Sequence, residues 1–489
     1  MPNKSNTDFI SRVLYHAKNY LIASISNILL GVIAIPIYTR LLSPEEYGVY
    51  SVFISYVGIL SVILSLNIHA SIGRYWFENS DDFKKFSGTC FSLMSIILIL
   101  SSLSFIFFKE FFGNLMRIPV SLIIWLIPFV IVEITYSTFR QIFEPQKESA
   151  IIAKVSIYKA YTSFILSIIL ILIYKNDRYM GIILGYALSG ISLSLFLIFK
   201  LKKYFSIFTF DKKYLNYIFL YSIPYIPYSL SGFILGQFDR IMINGYVGEK
   251  AAGIYSLSYS IGAMLSVVSV ALLNAWTPDF FKIIDNKDLN KYNNDIKKMF
   301  TIILIVALCI MFYGIEFGYI LADKKYHEAL FIIPYIVFGY IFDAIWGITA
   351  RNYAYKKNTH WLSIIGITAG FVKIVLNMVF IPKYGYITGV YTTAISFAFM
   401  AVFGVIVNKY FIKMYTYPFI KFIEEILYLV FVYFISYILI KLFSPNILIS
   451  MVIKTILLII YSLFVLYRIK LLDKNIHELY TLITSVLKK

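Results

Sequence analysis

Apolar runs about twenty residues long, separated by short polar connections, return fourteen times along the 489-residue chain. A bilayer core about 30 Å thick needs about 20 helical residues, and a helix crossing it satisfies its own backbone hydrogen bonds. The runs fall at residues 20–39, 50–70, 87–107, 120–139, 155–174, 181–199, 218–246, 253–275, 299–320, 329–350, 361–381, 389–407, 422–440 and 447–467. Only 14% of the residues are charged, against roughly a quarter in a soluble protein, so the chain lacks the polar surface that water requires. Gly 24, Pro 13 and Cys 2 are too few for collagen, disorder or a disulfide scaffold. The expectation is an all-α polytopic membrane protein. No hydrophilic insertion exceeds about two dozen residues, short of the ~50 that an independent soluble domain needs, so function lives in the helices and their short loops.

The net charge of +18 would suggest a nucleic-acid partner in a soluble protein. Here the odd-to-even connections are short and cation-poor. The N-terminus, the even-to-odd connections and the C-terminal tail carry the basic excess, with Lys200, Lys202, Lys203, Lys212 and Lys213 in a single loop. The positive-inside rule then places both termini of this multi-pass chain in the cytoplasm. The excess is topological, and a nucleic-acid partner is excluded. The N-terminal segment carries Lys4, Arg12 and Lys18 before an apolar stretch that ends without a small-residue cleavage site, so it reads as a retained first helix. Residues 8–17 read as an interfacial amphipathic helix. Cys90 and Cys309 lie in separate apolar runs and read as fillers.

An internal repeat follows from short matches. Glu46-Tyr47-Gly48-Val49-Tyr50-Ser51 opens the second span and Ala251-Ala252-Gly253-Ile254-Tyr255-Ser256 the eighth, 205 residues later. Gly181 and Gly185 at the sixth span match Gly385 and Gly389 at the twelfth. Two six-helix lobes are expected, at 1–200 and 201–410, related by an axis along the membrane normal with a site between them, and residues 411–489 append two further spans and a cytoplasmic tail.

Ionisable groups deep in a span cost a few kcal/mol unless they meet a cavity or a partner. In the eleventh span Gly366, Gly370, Lys373 and Asn377 share one helix face, with Lys373 near mid-span. In the seventh, Pro224 and Pro227 break or bend the beginning and form a hinge candidate. Gly232, Gly236 and Asp239 form one stripe of that span, and Gln237, Arg240 and Asn244 an adjoining one. Asp239 and Arg240 point about 100° apart, which argues for two different partners. Glu133, Ser137 and Arg140 share a face of the fourth span. Asp343 and then Arg351 belong to the tenth, Arg40 lies beyond the outer end of the first, and Arg74 follows the second on the inside. Arg40, Arg74, Arg140, Arg240, Arg351, Lys373 and Asn377 are therefore candidates for a cation-lined lumen, and Glu133, Asp239 and Asp343 for ion coupling. Glycine stripes also serve helix packing, and end-of-span arginines also enforce topology. Glu316 and Lys454 lie close enough to span ends to reach water.

The five histidines have no metal-ligand spacing, and no nucleotide-binding loop or nucleophile elbow is present, so neither metal, cofactor nor covalent catalysis is expected. Active transport must draw on an ion gradient, the membrane potential or the substrate's own gradient.

The stretch Thr39-Arg40-Leu41-Leu42-Ser43-Pro44-Glu45-Glu46-Tyr47-Gly48-Val49-Tyr50, followed by Ile72-Gly73-Arg74-Tyr75, resembles the start of Wzx-like oligosaccharide flippases of the polysaccharide transporter family. The resemblance continues through Phe238-Asp239-Arg240, Gly253-Ile254-Tyr255, Asn377, Pro382, Gly385 and Gly389. It implies the fold of the multidrug/oligosaccharidyl-lipid/polysaccharide (MOP) superfamily, two lobes in a V-shaped arrangement opening to alternate sides. It also implies a cargo of polyprenyl-diphosphate-linked oligosaccharide, moved from the inner to the outer leaflet for O-antigen, capsule or exopolysaccharide assembly. Partners would be membrane lipids, a polysaccharide polymerase and chain-length machinery. Of the lumen cations the resemblance covers Arg40, Arg74 and Arg240; Lys373 rests on its helix face. A diphosphate suits Arg and Lys donors. The alternatives are a cation-coupled multidrug exporter of the same superfamily, which would want an acidic lumen, and a membrane polysaccharide polymerase or ligase, which would want a large outer loop.

Overall fold

The structure, a computed structural model, describes residues 4–78, 82–206, 209–356, 358–443 and 447–468. The side chains of Lys4, Arg12 and Lys18 and the whole of the tail 469–489, which carry part of the basic excess, lie outside the described residues. Among the described residues the secondary structure is helical, without strands. Fourteen helices are long and apolar enough to cross a membrane: Ile22–Leu41, Pro44–Ser65, Phe83–Phe107, Val120–Phe143, Ser149–Ile173, Tyr179–Tyr204, Lys212–Tyr246, Glu249–Asp285, Leu289–Leu321, Lys324–Tyr355, His360–Tyr384, Thr388–Ile412, Phe419–Leu442 and Ile449–Arg468. Each run expected from hydropathy has its helix. The backbone of residues 8–17 continues the first span without interruption, in a helix Lys4–Leu41, so no separate interfacial helix forms.

The second span ends sooner than its apolar run. Leu66 and Asn67 take left-handed backbone angles, with φ of 46° and 51°, and a short helix, Ile68–Glu78, follows. Asparagine tolerates that conformation. Its side-chain amide donates to Ser229 Oγ at 2.9 Å and to the Tyr225 carbonyl at 3.3 Å, which fixes the turn against the seventh span. That span is itself interrupted: Lys212–Ser222 is α-helical, Ile223–Tyr225 forms one 3-10 turn, and Ile226–Tyr246 resumes. Pro224 and Pro227 remove the N–H donors that an unbroken helix would use.

The chain divides into two compact units. The first comprises Met1–Leu257, Leu321–His327 and Ile374–Tyr386. In it the first span is pinned to the fifth by Asn27 Nδ2 donating to Ser156 Oγ and Ser26 Oγ to Tyr161 Oη, both at 3.0 Å. The fifth and sixth spans touch backbone to backbone. A Cβ on Gly181 would lie 2.5 Å from the Ile171 nitrogen, and one on Gly185 would collide with Ser167, the small-residue packing that replaces hydrophobic drive in lipid. The start of the second span is a capping box: Ser43 Oγ accepts from the Glu46 N–H at 3.2 Å and Glu46 Oε2 from the Ser43 N–H at 2.8 Å. The other Glu46 oxygen takes the Arg178 N–H at 2.6 Å, and Tyr326 Oη donates to the Ser43 carbonyl at 2.9 Å.

The second unit comprises Ser258–Ile320, Glu328–Lys373 and Ile387–Lys489. Here Glu316 and Lys454 depart from expectation. Lys454 Nζ pairs with Glu316 Oε1 and also donates to the Phe312 carbonyl at 2.9 Å. Their side chains are only 13% and 11% exposed. Opposite charge and a backbone acceptor offset the desolvation that reaching for water would otherwise relieve. The pair ties the fourteenth span to the ninth, and Arg468 bridges to Glu424 at 3.1 Å and Glu425 at 3.2 Å on the thirteenth.

Candidate functional site

Two polar clusters, one buried and one half-buried, stand out in the first unit. In one, the Asp239 carboxylate is 1% exposed. The Tyr255 hydroxyl donates to its Oδ2 at 2.9 Å, and Asn377 Nδ2 to its Oδ1 at 2.7 Å. Three spans, the seventh, eighth and eleventh, thus converge on a single carboxylate through two neutral donors. Lys373 lies one turn before Asn377 on the same helix face, and Gly366, Gly370, Lys373 and Asn377 are all buried. Arg240, next to Asp239, is half-buried. The Gly232 and Gly236 stripe has nothing within 4 Å of a would-be Cβ at either position, so open space, not a packed helix, flanks it.

The second cluster joins the fourth, fifth and sixth spans. Glu133 Oε1 accepts from Lys159 Nζ at 2.7 Å and from the Tyr186 hydroxyl. The Lys159 ammonium also lies over the Tyr136 ring, 4.7 Å from its centroid, a cation–π contact. Cavities lie on either side of this cluster, and Tyr50 and Tyr186 border both. One, of about 380 Å³, includes Glu133 in its wall; the other, of about 430 Å³, includes Lys159.

The remaining candidates are dispersed. Arg40, Arg74 and Arg140 are exposed and each engages a group one turn away on its own helix: the Pro36 carbonyl, Glu78 and Glu144. The Tyr217 hydroxyl, then Arg74, hold the Glu78 carboxyl below the usual carboxylate range. Arg351 donates to Thr277 Oγ1 at 3.1 Å and to the Gly347 carbonyl at 2.5 Å. Asp343 is half-buried. Among the described residues no group of His, Cys, Asp or Glu is placed to hold a metal ion.

Reading the sequence overlooked Lys159. It lies near the start of its run, where a lysine ordinarily snorkels to water, and nothing local reveals that Glu133, 26 residues earlier, faces it. Asn67, His69 and Gln237 gain importance for the same reason, as walls of the 380 Å³ cavity.

Comparison with known proteins places these features. A family model described as "Polysaccharide biosynthesis protein" matches residues 17–284, more than half of the chain. A relative from Haemophilus influenzae named "Lsg locus putative protein 1" is 24% identical over 356 residues, 66% of this chain and 83% of that protein. Among solved structures, a lipid II flippase, MurJ, in an inward closed conformation is similar with a TM-score of 0.71 and 17% identity, over 93% of this chain and 99% of that one. An inward-facing multidrug resistance MATE transporter of the MOP superfamily follows at 0.65 and 14%, over 81% of this chain and 98% of that one. The match over residues 17–284 shows that the chain belongs to the polysaccharide biosynthesis protein family, and its fold is that shared by the MurJ and MATE structures.

Proposed function

We propose that this protein carries polyprenyl-diphosphate-linked oligosaccharide from the inner to the outer leaflet of the plasma membrane by alternating access, with both termini in the cytoplasm, and performs no covalent chemistry. The observation that carries the reading is the family match over residues 17–284. A fold relative that is a flippase of lipid II supports a lipid-borne cargo. In this reading residues 1–200 and 201–410 are the two rocking lobes and 411–489 an appendage, and a polysaccharide polymerase with its chain-length machinery takes the product.

The diphosphate needs cations, and Arg240 and Lys373 are two carried within a span beside polar or small residues. Arg40, Arg74, Arg140 and Arg351 serve entry and exit, and Asn377 orients the mid-span groups. The interrupted helix at Pro224 and Pro227 is the hinge. Glu133, Asp239 or Asp343 couples the cycle to protons or another cation. A second reading, a cation-coupled multidrug exporter, draws support from the multidrug transporters that share the fold; the family match favours the first.

The test is reconstitution into proteoliposomes with lipid-linked oligosaccharide and measurement of outer-leaflet appearance. Arg240→Ala and Lys373→Ala, each checked for insertion, are expected to slow it about tenfold or more, the worth of one charge-assisted contact. Wild-type rates in both variants would refute the site assignment, and export of cationic drugs in place of the lipid would select the second reading.

A further inference from the structure

The cavity of about 380 Å³ has a wall unlike a diphosphate site. Among the described residues no lysine or arginine contributes to it. Its polar groups include Asn67, His69, Glu133 and Gln237, and its flat apolar surfaces include Tyr50 and Phe233. Gln237 Oε1 and His69 Nδ1 are buried and have no hydrogen-bond partner among the described residues. A buried polar atom left unmade costs about 1–3 kcal/mol, so such atoms mark places where something else completes the bond. Burial pushes the His69 imidazolium down to about 4, which leaves a neutral ring with one acceptor nitrogen. The Asn67 amide is held by its bonds to Ser229 and Tyr225, so the wall is fixed on that side.

Phe233 is placed by a glycine. A Cβ on Gly58 would come within 2.5 Å of the Phe233 ring, so the bare backbone of the second span is what lets that ring lie across it. Tyr186 stacks on Phe129 with centroids 4.5 Å apart, and both rings reach the same cavity. Flat rings beside uncharged acceptors complement a sugar, whose C–H face is apolar and whose hydroxyls donate. The volume falls in the range of about 300–1,000 Å³ for small-molecule sites, enough for one or two sugar rings and too little for an oligosaccharide.

We propose that this cavity is the sugar subsite of the cargo path. Gln237 and His69 accept hydroxyl protons of an uncharged sugar ring, Phe233 lies against its apolar face, and the diphosphate is held elsewhere. The proposal rests on the flippase reading and adds to it a division of labour: neutral acceptors for the sugar, cations for the anion.

The experiment uses the full chain in nanodiscs and two probes, sugar-free undecaprenyl diphosphate and the lipid-linked oligosaccharide pool extracted from the source cells. Gln237→Leu, His69→Phe and Phe233→Leu are each expected to weaken binding of the sugar-bearing pool about tenfold, one hydrogen bond's worth or its stacking equivalent. Binding of undecaprenyl diphosphate stays as in the wild type, which also shows that the variants are folded. Arg240→Ala weakens both probes. If the three variants leave the sugar-bearing pool unaffected, the cavity holds only water and the subsite is overturned while the flippase reading stands. An equal loss for both probes overturns it likewise. Failure of the unmodified chain to bind either probe removes the flippase reading and the subsite together.

Discussion

Gly48 and Gly253 meet at the openings of the second and eighth spans so closely that a methyl on either would overlap the partner helix: Gly48 against the Glu249 carbonyl, Gly253 against the Pro44 carbonyl. Gly253 follows Gly48 by 205 residues, and Glu249 follows Pro44 by the same interval. The contact therefore maps onto itself under the internal repeat, and both halves of it lie in the first unit. Backbone, not a flexible side chain, occupies the space, so nothing can yield cheaply.

Gly48→Ala and Gly253→Ala are each expected to destabilise the protein by about 1–3 kcal/mol, the usual cost of overpacking. Because a single separation of the two helices relieves both clashes, the double variant should lose clearly less than the sum. Thermal unfolding followed by size-exclusion in detergent measures this; strict additivity would contradict the reciprocal contact.

At Asp239 both carboxylate oxygens have neutral donors. Tyr255→Phe removes one and is expected to cost about 1.5–3 kcal/mol, as for a hydrogen bond to a charged group. Asp239→Asn keeps the shape but turns one acceptor into a donor that faces either Tyr255 or Asn377, so it should cost at least as much. Denaturant titration of the two variants checks the order, and a neutral Asp239→Asn would show that the Tyr255 and Asn377 donors do not depend on a carboxylate at this position.

The open space beside Gly236 gives the opposite sign. A Cβ at Gly236 meets nothing within 4 Å, and Gly236→Leu replaces a poor helix former, so stability should stay level or rise by up to about 1 kcal/mol. If that space belongs to the cargo path, translocation in proteoliposomes falls sharply in the same variant. Full transport by a stable Gly236→Leu protein would place the path elsewhere.

How much of this was legible in the sequence follows from which forces are local. Spans are legible because each must satisfy its own backbone and match the bilayer, both properties of a contiguous run. The Lys373 and Asn377 face is legible because helical spacing alone defines it, and burial of both residues agrees. The end of the second span is not: its apolar run continues past Leu66, and the turn is fixed by a hydrogen bond from the Asn67 side-chain amide to Ser229, 162 residues away. Nor are the partners of Glu133 and Glu316, since an ion pair across helices leaves no periodic trace.

Glu133 and Lys159 supply a cycle. Their side chains are 32% and 15% exposed, so solvent screens part of the interaction, and a coupling energy of about 1–2 kcal/mol is expected, between surface and buried values. Glu133→Gln, Lys159→Met and the double variant, unfolded side by side, measure it. A coupling energy of zero would mean that the Tyr186 hydroxyl, not Lys159, holds the carboxylate.

The Glu316 and Lys454 pair is more enclosed and should behave differently. Lys454→Met leaves a carboxylate that is largely shut off from solvent without its countercharge, and Glu316 Oε2 already has no partner among the described residues. Breaking a buried pair from one side costs about 3–5 kcal/mol, whereas replacing both members by apolar groups of similar volume is often neutral. Glu316→Leu/Lys454→Met is therefore expected to regain most of the stability that Lys454→Met loses, read as the midpoint of thermal unfolding. The Tyr313 hydroxyl, 2.7 Å from Thr455 Oγ1, keeps the ninth and fourteenth spans in register in both variants. A double variant as unstable as the single one would mean that the charge itself, through its bond to the Phe312 carbonyl, holds the fourteenth span in place.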